Sequence, residues 1–160
     1  MYDREMKISP NFKLGEFTKS KKAETFHIDN HGQLNERVVV NLRNLCEHVL
    51  QPIRDMIEVP IHVSSGYRCP QLNKVCNGAA RSQHTKGEAA DIYLDPATAK
   101  GWTLWDVAVL IHDFTDFDQM IWETRQNGSK WIHVSYVTYR KNRHSKLRCE
   151  DGKTYKLLEL

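Results

Sequence analysis

The feature that most constrains this chain is a carboxylate, Asp91, set inside the apolar run Ala89-Ala90-Asp91-Ile92-Tyr93-Leu94. A run of this length and composition predicts a buried strand over 89–94. An ionised carboxyl held there without a partner would cost roughly several kcal/mol, so the fold must bring compensating groups to it. His84 precedes it closely, and Thr85-Lys86-Gly87-Glu88 can turn the chain so that the two side chains converge. A third candidate is His133 in Trp131-Ile132-His133-Val134-Ser135, where period-two geometry places Trp131, His133 and Ser135 on one face. Two imidazoles and a carboxylate, with a fourth position left to water, form a recognised ligand set for catalytic zinc. Spacing alone leaves the alternative open that His133 is a core histidine with satisfied hydrogen bonds.

The chain has 160 residues, 40% hydrophobic and 27% charged, which suits a single domain over 1–160 with a core of its own. No stretch approaches the roughly 18 consecutive apolar residues of a membrane span, and residues 1–10 lack the apolar core of a signal peptide. The expectation is a protein made and held in the cytosol, without membrane insertion. A net charge of +3 is too small to imply a nucleic-acid partner. Cys46, Cys69, Cys76 and Cys149 match no zinc-finger spacing and are expected to be free thiols. Of eight histidines, His27, His31, His48, His62, His112 and His144 share no informative spacing.

Apolar positions Val39, Leu42, Leu45, Cys46, Val49, Leu50 and Ile53 recur at steps of three and four, predicting a helix from Val38 that bends near Pro52 and ends by Pro60. A short strand is expected at 61–65, a brief helix at 70–76 with proline at its start, and a loop onward to Gly87. A helix at 103–114 and strands at 117–123 and 131–137 follow, the last two joined by a loop containing Asn127-Gly128. The pattern favours an α+β fold, a small antiparallel sheet with helices packed around it, over a parallel α/β sheet.

Three ordered motifs carry a resemblance: Ser64-Ser65-Gly66-Tyr67-Arg68-Cys69-Pro70-Gln71-Leu72-Asn73, then Ser82-Gln83-His84 through Gly87 to Ala90-Asp91-Ile92, then Trp131-Ile132-His133-Val134. Together they resemble the zinc D-alanyl-D-alanine carboxypeptidase family. It includes bacterial D,D-carboxypeptidases, vancomycin-resistance D,D-dipeptidases and phage endolysin endopeptidases, and shares its zinc fold with the hedgehog signalling domain. Asn11-Phe12-Lys13-Leu14-Gly15-Glu16-Phe17 and Leu50-Gln51-Pro52-Ile53-Arg54 resemble its shorter peptidoglycan-peptidase branch, so the resemblance spans about 8–137. It implies one Zn2+ held by His84, Asp91 and His133, Arg68 facing the substrate carbonyl, and attack of zinc-bound water on an amide of a peptidoglycan stem peptide. Both D,D-carboxypeptidase and endolysin-type endopeptidase activity fit. Such a protein is expected to be a monomer that reaches the cell wall after release from the cytosol.

One position departs from the family pattern. Many relatives carry an acidic residue three before the last histidine ligand, where this chain has Lys130. The base is instead assigned to Glu123, at the end of the strand expected to pair with that of His133, with Glu88 as fallback on a solvated turn; Asp118 alternates away from Glu123. Ser82 is a candidate either to bind substrate or to orient its loop, and Trp131 either to line the groove or to pack. The basic residues Arg140, Lys141, Arg143, His144, Lys146 and Arg148 are read as a solvated face on a tail over 138–160. Lys130 also leaves open a catalytically inactive zinc-bearing binding module of the same fold.

Overall fold

Polar caps and prolines set the helical layer. In the computed structural model, which describes Met1–Leu160, an antiparallel ribbon of β1 (Lys7–Ser9) and β2 (Phe12–Lys13) leads into a 3-10 turn at Leu14–Phe17. Helix α1 (Lys21–Thr25) follows, its N-terminus capped by Ser20. The Asn35 side chain accepts the Val38 N–H and starts α2 (Glu36–Leu45), slightly ahead of the expected boundary. Just ahead of Pro52 the helix widens: Cys46–Leu50 is π-helical, with the Gln51 N–H reaching back to Cys46 O, and α3 (Gln51–Ile57) continues. The wider turn absorbs the region where proline lacks an N–H for the α-helical ladder. Glu58, left-handed at φ 54°, ends the helix.

Then come β3 (His62–Ser65), α4 (Pro70–Val75), β4 (Ala89–Tyr93), α5 (Leu104–Phe114), β5 (Gln119–Thr124) and β6 (Lys130–Ser135). The hairpin between β5 and β6 turns at Gly128, whose φ of 85° is the left-handed conformation glycine tolerates. The basic stretch read as a tail is instead part of the sheet: it supplies β7 (Ser145–Cys149) and β8 (Tyr155–Leu157). The strand order is β3-β4-β6-β5-β7-β8, antiparallel except for the parallel β5–β7 pair. The α+β expectation holds.

Alternation divides the sheet into two faces with different duties. Ala90, Ile92, Met120, Ile132 and Val134 point into the hydrophobic core, where Val107, Ala108 and Ile111 of α5 and Leu42, Leu45 and Val49 of the long helix meet them. Asp91, Gln119, Ile121, Glu123, Trp131 and His133 point the other way and line a groove of about 640 Å³. No helix is long and apolar enough to cross a membrane.

Candidate metal centre

Register brings two of the three candidate ligands together. Asp91 of β4 lies directly opposite His133 of β6, and the His133 Nδ1 sits 3.0 Å from Asp91 Oδ1. His84 arrives from a 3-10 turn at Gln83–Lys86. Gly87 ends that turn at φ 72°, where a β-carbon would stand 2.7 Å from Val38 O. Only glycine therefore permits the close approach of this turn to α2. The Ser82 hydroxyl accepts the His84 N–H at 3.3 Å, so Ser82 caps the turn while also lining the groove. The candidate ligand atoms of His84, Asp91 and His133 all lie within 4.8 Å of one another.

The tautomer of His84 follows from its neighbour. Its Nδ1 is 2.7 Å from Gly66 O, a carbonyl that can only accept, so Nδ1 carries the proton and Nε2 presents a lone pair 3.3 Å from Asp91 Oδ1. Burial pushes the His84 imidazole down from its usual range, against the pull of Asp91. Burial alone would raise the Asp91 carboxyl, but the adjoining His84 and His133 outweigh it and hold Asp91 well below the usual carboxylate range. A neutral imidazole and an ionised carboxylate are the forms that bind a divalent cation. The donor set therefore fits zinc.

Arg68 stands beside this centre, with Nη2 3.7 Å from Asp91 Oδ2. Its Nε donates to Ser65 Oγ at 3.2 Å and its Nη1 to Asn73 Oδ1 at 3.3 Å, tying it to β3 and α4. Arg68 thus both pairs with Asp91 and lines the groove. Glu123 is buried on the same sheet face, diagonal to His133 through the Ile121–His133 and Glu123–Trp131 pairs. Its Oε2 accepts from Arg125 Nη1 at 2.8 Å, and the Arg125 guanidinium lies 4.8 Å above the Trp131 ring. Trp131 therefore lines the groove and packs at once. Lys130 is at an odd spacing from His133 on an unbroken strand, which turns it to the opposite face.

Two expectations about carboxylates are corrected. Glu88 is not on a solvated turn: it is buried, accepts from Gln83 Nε2 at 3.3 Å, and does not line the groove. Burial raises its carboxyl above the ordinary value. The basic segment is not simply a solvated face either, because Arg140 and Arg143 both bond Asp118, which is fully buried just ahead of β5. Burial would raise Asp118, but these guanidiniums hold it well below the usual range. Tyr139, Arg140, Arg143 and Tyr155 join the groove wall, none of them anticipated. The signal was present: Asp118 follows Phe117 in a strand-like run, and a carboxylate buried there needs partners as Asp91 does.

The other histidines have local roles. His31 is buried between Thr18 Oγ1 and Tyr2 O, His48 stacks on Tyr136, His62 on Tyr93, and His112 and His144 pair with Asp113 and Asp116. All four cysteines are free thiols. A protein-family model described as Peptidase M15 matches residues 10–135. No curated protein matches the chain.

Proposed function

The chain belongs to the peptidase M15 family, and on that premise we propose that this zinc metallopeptidase cleaves amide bonds in peptidoglycan stem peptides, with the cell wall as its place of action. His84, Asp91 and His133 would hold the ion. Zinc bound there supplies a Lewis acid that acidifies water and polarises the scissile carbonyl. Glu123 takes a proton from the attacking water and returns it to the leaving amine. Its Oε2 is fixed by Arg125, leaving Oε1 without a protein partner. Arg68, braced by Ser65 and Asn73, donates to the oxygen on which negative charge develops.

The observation that carries this reading is the shared groove: the three candidate ligands, the one groove glutamate and Arg68 all line it. Purified protein incubated with intact peptidoglycan, with and without chelator, followed by mass analysis of the fragments, tests it. New amine ends that vanish with chelator are expected, and their position distinguishes a carboxypeptidase from an endopeptidase. Stoichiometric zinc without fragments would overturn the reading in favour of a binding module.

A further inference from the structure

Asp118 is surrounded by more positive charge than it needs. Arg140 donates to both of its oxygens, at 2.7 Å from Nη1 and 3.1 Å from Nη2. Arg143 does the same through Nε at 3.1 Å and Nη2 at 2.9 Å, and adds its backbone N–H at 3.0 Å. Gln83 Nε2 supplies a further bond at 3.0 Å. One guanidinium already neutralises the single charge of a carboxylate, so the second brings positive charge beyond what Asp118 itself balances. The Asp118 side chain is 0% exposed, whereas those of Arg140 and Arg143 are 36% and 49% exposed, and both line the groove.

The two guanidiniums share the one carboxylate they bond and turn a positive surface to the groove, the next carboxylate, Glu88, being buried off the groove behind Gln83. Arg143 Nη1 and Arg140 Nε make no hydrogen bond within the chain; of the other groove arginines, Arg68 and Arg125 are engaged with Asp91 and Glu123, and the exposed Arg81 has no side-chain bond to hold it in place. Both guanidiniums are rigidly held, which lowers the entropy lost on binding a ligand. Gln83 links this cluster to the turn that carries His84. The segment lies beyond residues 10–135, outside the stretch matched by the family model.

We propose that Arg140 and Arg143, mounted on Asp118, form a carboxylate-binding subsite that selects acidic peptides for the groove. The inference rests on the peptidase reading above. It takes the anion to be a carboxylate because a planar fork of guanidinium donors matches that group. In a stem peptide the carboxylate has two sources, the chain terminus and an acidic side chain.

Three versions of one synthetic stem peptide test the subsite: both carboxylates free, the terminus amidated, and the side-chain carboxyl amidated. Amidating the carboxylate that the subsite reads should lower kcat/KM about tenfold through KM, a change equivalent to about 1.4 kcal/mol. Arg143→Gln should reduce the free peptide to the level of that amidated one and leave the amidated peptide unchanged, while Arg143→Lys restores part of the preference. Which amidation matters identifies the source. Equal loss on all three peptides, or no response to either amidation, overturns the subsite. Calorimetric binding of the same peptides to zinc-loaded Glu123→Gln separates the two readings: absence of cleavage by the parent protein with a preserved carboxylate preference defeats only the peptidase assignment. Loss of that preference in binding defeats the subsite.

Discussion

A β-carbon added at Gly66 would stand 2.6 Å from Phe17 O and 2.7 Å from Phe17 Cα, both backbone atoms that cannot swing aside. The carbonyl of this residue also receives the His84 Nδ1–H. Gly66→Ala should therefore act twice: a stability loss of roughly 1–3 kcal/mol in urea titration, and roughly 10–100-fold weaker zinc affinity in chelator competition. His84→Ala should abolish stoichiometric zinc in the purified protein, and unchanged metal content would sink its assignment as a ligand. Glu123→Gln should retain zinc and lose about 10²–10⁴-fold in rate; full activity would move the proton transfer elsewhere. At this scale the sequence was readable wherever a charged residue interrupts an apolar run. Asp91 announced its need for partners in this way. Asp118 did so as well, but its partners lie far along the chain in a stretch whose charges resemble any hydrated surface.

Elements were legible in proportion to how local their determinants are. The Thr103 side chain accepts the Asp106 N–H while Asp106 accepts the Thr103 N–H, a reciprocal cap written within four consecutive residues. Thr103→Ala should cost about 1 kcal/mol by urea titration, with little effect on zinc binding. The apolar stripe of the long helix was likewise plain, though not the π-helical widening at Cys46–Leu50, since Pro52 signals only that the α-helical ladder is interrupted and not how the chain accommodates it. Strands β7 and β8 were illegible for a different reason. Ser145-Lys146-Leu147-Arg148-Cys149 is short and mostly polar, Tyr155–Leu157 is wholly exposed, and what makes β7 a strand is its distant parallel partner β5. No window of sequence contains both.

For the whole molecule, Glu88 and Asp118 pull stability in opposite directions with pH, and Gln83 bridges them. Glu88 has a raised folded pKa, so its contribution is intact below its unfolded value of about 4.3 and is lost as pH rises through the folded value. Glu88→Gln should raise Tm at pH 7, with the gain closing as pH falls toward about 4. Asp118 has a depressed folded pKa; its contribution is present above about 3.9 and disappears as pH falls further. Asp118→Asn should lower stability at pH 7 by roughly 1–3 kcal/mol and blunt acid unfolding below about pH 4. The parallel pairing of β5 with β7 has one more consequence, in the timing of synthesis. The β5–β6 hairpin emerges from the ribosome with the outer edge of β5 bare, because the strand that covers it emerges later. For a time on the order of a second the nascent chain carries an open strand edge. Arg140 and Arg143 also follow the candidate ligands His84, Asp91 and His133 in the chain, so the part of the groove wall they supply is synthesised after those ligands.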